Sequence, residues 1–311
     1  MKKVITLLLF TLVIFFGGCT KKENVDIITT SFIGYDLAYN IAGDNLTIEN
    51  IMPWGSELHN FEPTPRQMSN INHSDLFIYL SVELEPWVAN NVTQPNALNL
   101  SESFVRLDHD HNHDDDIGPE EDHLHEDDHD HSSLHFWTDP TTYVQLINVV
   151  RDKIIAIDPE NEQLYTSRAI VYYEMINDLH IDFDIFTQNL DKRNIFLAGH
   201  NAMDAFAERY HINIRSLTGD YKPNADLTGP QIISLRDEIV ELDIHYLFTE
   251  ELVEPRVALR LKETLESQSY ALNLLELHGY HNISQKQYEE RVNYARLFQQ
   301  NIDNIKQALS N

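Results

Sequence analysis

Past the first two dozen residues, apolar positions along this chain alternate between two rhythms. VDIITT (25–30), LTIENI (46–51), DLFIYL (75–80) and SFVRL (103–107) are short apolar or alternating runs of strand length. YDLAYNIAG (35–43) and TPRQMSNINHS (64–74) repeat apolar residues three and four apart, as a helix does, and Gly43 stops the first of them. DPTTYVQLINVVRDKIIAID (139–158) has helical periodicity with a proline near its start, where the missing N–H costs nothing. A second helical run extends from Pro159 to about Leu190 with no glycine or internal proline. At 1.5 Å per residue it would be on the order of 45 Å long, the width of a domain. The alternation then resumes: strands NIFLAG (194–199), INIRSL (212–217), IHYLFT (244–249) and ALNLLEL (271–277), a helix GPQIISLRDEIVEL (229–242), and a terminal helix to about Leu309.

Strands separated by helices predict mainly parallel sheets. The expected architecture is therefore α/β: two β/α lobes joined by one long rigid helix. The boundaries read as an N-terminal lobe over 25–158, a linking helix over 159–190 and a C-terminal lobe over 191–311.

The first residues belong to neither rhythm. MKKVITLLLFTLVIFFGGCT places two lysines before an apolar run too short to span a bilayer comfortably, then small residues and Cys19. This reads as a lipoprotein signal over 1–18, with Cys19 as the lipidated terminus and 19–24 as a tether to a bacterial membrane at the cell surface. Cys19 is the only cysteine, so no internal disulfide can form.

Charge alters the picture once. The net charge of −28 excludes a nucleic-acid partner, whose phosphates would be repelled. Twelve of the acidic residues fall between Asp108 and His131, together with seven histidines: His109, His111, His113, His123, His125, His129 and His131. A stretch this polar cannot bury enough surface to order itself, so 108–133 is expected to be a disordered, metal-collecting loop. HEDDH (125–129) matches the H-E-x-x-H protease signature, but no apolar face is present to dock the helix that signature requires.

In open α/β sheets, ligands sit beyond the carboxyl ends of strands. Here His59 lies in PWGSELHNFEPTP after the second strand, His200 directly follows NIFLAG, and FTEELVEPR offers Glu250, Glu251 and Glu254. His135 stands in HFWTDP, where a helix begins. Three imidazoles and a carboxylate would suit zinc. Spacing alone does not lift these three above His73, His180, His211, His245, His278 and His281, which read as surface or hydrogen-bonded residues.

TTSFIGYDLAYNIAGDNLTIENIMPWGSELHNFEPTPRQMSNINHSDLFIYL, HFWTDPTTYVQLINVV and AGHNAMDAFAERY resemble, in order, the three motifs of the metal-binding proteins of bacterial zinc and manganese ABC importers, the ZnuA/AdcA/TroA type. The resemblance covers nearly all of the mature chain. It implies a metal site in the inter-lobe cleft with His59, His135 and His200 as ligands. The fourth would be Glu254, with Glu250 or water as alternatives. His200, where manganese members usually carry glutamate, favours Zn²⁺ over Mn²⁺ as the transported substrate. The implied partner is an ABC permease, with the protein acting as a monomer and not as an enzyme. A zinc hydrolase and a surface adhesin are the competing classes.

Overall fold

The computed structural model describes residues 25–56, 61–105, 134–217 and 227–310. Cys19, the acidic stretch and His59 lie outside them. Two sheets appear. The first contains β1 (Ile27–Thr29), β2 (Ile48–Asn50), β3 (Leu76–Tyr79) and β4 (Ala97–Asn99) in the order β2-β1-β3-β4. The second contains β5 (Asn194–Leu197), β6 (Asn213–Ser216), β7 (Tyr246–Thr249) and β8 (Asn273–Glu276) in the order β6-β5-β7-β8. Every pairing is parallel, as between Ile27 and Leu76 or Leu247 and Leu274. Both sheets reverse direction between their first and third strands, so β1/β3 and β5/β7 are the two switch points.

The helices are α1 (Phe32–Ala42), α2 (Pro65–His73), α3 (Trp87–Asn91), α4 (Pro140–Ile157), α5 (Glu162–Gln188), α6 (Asp204–Tyr210), α7 (Gly229–Glu241), α8 (Arg256–Glu266), α9 (Gln285–Glu289) and α10 (Tyr294–Leu309). Their starts follow local chemistry. Thr64 and Gln67 form a reciprocal capping box on α2, as do Ser284 and Gln287 on α9. Asp139 caps α4 through the Thr141 amide, with Pro140 in the first turn. The rod expected from Pro159 is real: a 3₁₀ turn over Pro159–Asn161 leads into the 27 residues of α5. Among the described residues no helix is long and apolar enough to cross a membrane.

One expectation fails. The described part of SFVRL, residues 103–105, forms no strand; β4 is Ala97–Asn99, which pairs with β3, while Ser103 and Phe104 turn away from it. Phe104 packs on the core by stacking on Phe136. A half-buried aromatic in a bend has the same apolar signal as one in a strand.

Each sheet is covered on both faces, as parallel sheets are. Ile28 and Phe77 face a small cluster with Ile71 and Val88, and Leu247 faces another with Leu261 and Ile239. The opposite faces share one large core. Ile27 and Ile78 of the first sheet and Ile195 and Phe248 of the second join it, with α1, α4, α5 and α10 between them.

At its centre lies Asp36 of α1. Its Oδ2 accepts from the hydroxyls of Tyr143 (2.6 Å, α4) and Tyr172 (α5), and its Oδ1 from the Tyr294 amide (3.1 Å) at the start of α10. Burial pushes this carboxyl up to about 6, although all three donors pull it down. One carboxyl thus ties four helices and both halves of the chain together.

Candidate metal centre

The carboxyl edge of the second sheet gathers titratable side chains from three strands. After β5 come Gly199 and the exposed His200; after β7, Glu250 and Glu251; after β8, His278, Gly279 and His281. His135 approaches from the turn that leads into α4. The Trp137 indole holds it against this edge by donating to the Gly279 carbonyl (2.9 Å). The rings of His135 and His200 are 5.6 Å apart, and those of His135 and His281 are 5.2 Å apart, both pairs close to edge-on.

Two of these imidazoles lean on carboxylates. His135 Nδ1 lies 3.3 Å from Asp204 Oδ1, and His281 Nδ1 lies 3.3 Å from Glu251 Oε1. An ionised carboxylate only accepts, so in the neutral ring each Nδ1 carries the proton and Nε2, on the other side, keeps its lone pair. Both Nε2 atoms are buried. Glu251 Oε2 also accepts from the Gly279 amide (2.9 Å). Burial by itself would push the Glu251 carboxyl up, but the charge of His278 and His281 when protonated, the bond from His281 and that amide outweigh it and hold the carboxyl at about 2. The arrangement fits a divalent cation: neutral imidazoles backed by carboxylates are what transition metals bind.

The stretch leading to His59 is tied to the same place. Asn282 Nδ2 donates to the carbonyls of Pro53 (2.9 Å) and Ser56 (3.0 Å), and the Gly55 amide donates to Ile283 O (2.8 Å). The chain therefore leaves the described residues at Ser56 beside the neighbour of His281.

The predicted carboxylates fare differently. Glu254 is 65% exposed and accepts from Arg256 Nε (3.0 Å), on the surface before α8. Glu250 packs on Gly199, where an added Cβ would stand 3.1 Å from its Oε1. Among the described residues, no three His, Cys, Asp or Glu side chains close into a group that holds a cation as they stand.

The remaining histidines make local contacts. His73 Nδ1 meets the Ser69 carbonyl, His180 the Tyr210 hydroxyl and His245 the Ala271 carbonyl. His211 ends α6 in a left-handed conformation. His278 is fully buried; its Nδ1 accepts from the Tyr280 amide, and Asn301 brackets its backbone on both sides. Of this group, His281 brings its ring against that of His135. The signal was present, since HGYHN follows a strand just as His200 does.

Residues 27–308 match the family described as zinc-uptake complex component A, periplasmic (ZnuA). This chain belongs to the ZnuA family. It is 24% identical to the zinc-binding protein AdcA of Streptococcus pyogenes over 323 aligned positions, covering 98% of this chain. It spans only 61% of that protein's length. It is 25% identical to the high-affinity zinc uptake system protein ZnuA of Bacillus subtilis, covering 93% of this chain and 89% of that protein. Its fold matches the Zn(II)-bound ZnuA-like domain of Streptococcus pneumoniae AdcA with a TM-score of 0.74 at 19% identity, over 93% of this chain and all of that one. The ZnuA family is one of solute-binding proteins, and the two parallel-sheet lobes and long helix described above are its fold.

Proposed function

We propose that this protein is the extracytoplasmic zinc-capturing component of an ABC importer, held to a bacterial membrane through Cys19 and delivering Zn²⁺ to the permease as a monomer. Its work is binding and release, with no bond made or broken in a substrate. His59, His135 and His200 bind the cation between the lobes, together with a fourth donor. Residues 108–131 serve as an outer collector.

The observation that carries this reading is the spacing of the rings. Two imidazoles that hold zinc tetrahedrally through nitrogens at about 2.0–2.1 Å have ring centres about 5 Å apart. His135 stands 5.6 Å from His200 and 5.2 Å from His281. An all-imidazole approach favours zinc over manganese, which prefers oxygen donors.

The test is competitive titration of the purified protein with zinc against a chelating dye. One tight ion per chain is expected. A four-ligand site worth on the order of 12 kcal/mol loses about 3 kcal/mol per ligand removed, roughly a hundredfold in affinity. His59→Ala, His135→Ala and His200→Ala should each show that loss, and deletion of 108–131 should spare the tight site. If the deletion abolished tight binding while the three substitutions did not, the carrier reading would fail.

A further inference from the structure

The fourth donor can be assigned, on the footing of the zinc-carrier reading above. We infer that it is the imidazole of His281, and that Glu251 is the positioning residue that makes it a ligand.

Five contacts hold this pair in place. His281 lies 5.2 Å from His135, ring to ring, nearer than His200 does. Its Nδ1 is turned to Glu251 Oε1, so Nε2 is the ring nitrogen that faces away with its lone pair. Glu251 is fixed before any cation arrives: its second oxygen takes the Gly279 amide at 2.9 Å, and the carboxylate is almost wholly buried. The ring also lies directly over Gly279, where an added Cβ would stand 3.0 Å from both Cε1 and Nδ1 of His281. Trp137 holds that glycine's carbonyl, which ties the arm carrying His281 to the turn carrying His135. Glu254, by contrast, is engaged by Arg256 in solvent.

The chemistry follows from the tautomer. A carboxylate at 251 can only accept, and so keeps the His281 proton on Nδ1. A glutamine there would still accept from Gly279 but would turn its NH₂ toward Nδ1. That favours the opposite tautomer, with hydrogen on Nε2, the atom that must bind the metal. Replacing the carboxylate expected as fourth donor by a nitrogen donor gives four imidazoles and no hard anion. The site is thereby tuned toward the softer cation.

The experiment is zinc and manganese titration of the full chain and of His281→Ala, Glu251→Gln, Gly279→Ala and the double variant His281→Ala/Glu251→Gln. X-ray absorption of the zinc-loaded wild type counts imidazoles. Glu251→Gln and Gly279→Ala should each weaken zinc by roughly 10- to 100-fold and lower the zinc-to-manganese ratio. Glu251→Gln should cost nothing further once His281 is alanine. Absorption should count four imidazoles, and three in His281→Ala. Equal losses from Glu251→Gln in both backgrounds would make Glu251 merely structural and overturn its role, as would an unchanged zinc-to-manganese ratio. Undiminished zinc affinity in His281→Ala, or loss in Glu254→Gln instead, would overturn the ligand assignment. If His135→Ala still lost zinc affinity in that case, the carrier reading would survive. If His135→Ala and His200→Ala also bound normally, the carrier reading itself would have failed.

Discussion

Asp36 offers a direct measure of how the two halves are held together. Its folded carboxyl sits at about 6 against an ordinary value of 3.8, chiefly because it is buried. A raised acid holds its proton more tightly in the folded chain than in the unfolded one. The resulting stability is fully present below about pH 4 and is lost as pH rises to about 6, after which it stays constant. A shift of about 2 units corresponds to about 3 kcal/mol. Asp36→Asn is neutral at every pH and can keep the geometry. Its carbonyl oxygen accepts from the Tyr294 amide, and its NH₂ meets the hydroxyl oxygens of Tyr143 and Tyr172, which can turn to receive it. Denaturant unfolding of the metal-free protein and the variant should be compared at several values between pH 4 and 8. The wild type should lose about 3 kcal/mol relative to the variant across the acid part of that range, then run parallel to it. A stability difference that stays flat from pH 4 to 8 would show that Asp36 does not ionise with the assigned value, and the account of the knot would be wrong.

Two further substitutions probe the ties around the metal centre. Trp137→Phe removes the donor to the buried Gly279 carbonyl; unfolding should cost about 2–4 kcal/mol less, combining an unmet acceptor with a small cavity, and zinc affinity should fall with it. Unchanged stability and affinity would mean that this bond does not set the spacing of His135 and His281. Asn282→Ala releases the Pro53 and Ser56 carbonyls; about 2 kcal/mol of stability should be lost, and the Gly55 amide should exchange faster with solvent. Unaltered exchange at Gly55 would show that the 53–56 loop is held by something else.

Much of this architecture was legible because parallel sheets declare themselves through alternation of rhythm. Seven of the strands coincide with apolar runs read from the chain, and the long helix is where an uninterrupted pattern placed it. The eighth was misplaced because Phe104 packs on the core from a bend, half-buried, and periodicity reports burial before it reports backbone shape. Two short helices, Trp87–Asn91 and Gln285–Glu289, were not anticipated; five residues are too few to show a helical period. At the metal centre, His135 and His200 each border a recognisable element, but only the resemblance of HFWTDP and AGHN to known motifs raised them above the other histidines. His281 was passed over, although it too lies just past a strand. The strand rule alone could have raised it, but only the fold shows Glu251 and Trp137 meeting it from distant parts of the chain. Glu254 was implied by the resemblance, through its place four residues after Glu250. An offset says nothing about the arginine two residues later, which draws it into solvent.

Among the described residues, the bonds that cross between the halves gather at a handful of places. Asp36 reaches Tyr294, Arg209 reaches Asp139, Trp137 reaches Gly279, and Asn282 reaches Pro53 and Ser56. The last two ties border the candidate ligands, one between His135 and His281, the other between His281 and the loop that leads to His59. The centre is therefore framed by short loops stapled to each other, over a core that runs unbroken from one sheet to the other. A hinge opening the two halves would have to break the Asp36 knot and expose that core. Moving His200, exposed on the short connection between β5 and α6, would expose far less apolar surface. In such a frame, the least costly way to let a cation in or out is to move one ligand-bearing loop while the remaining donors stay in place.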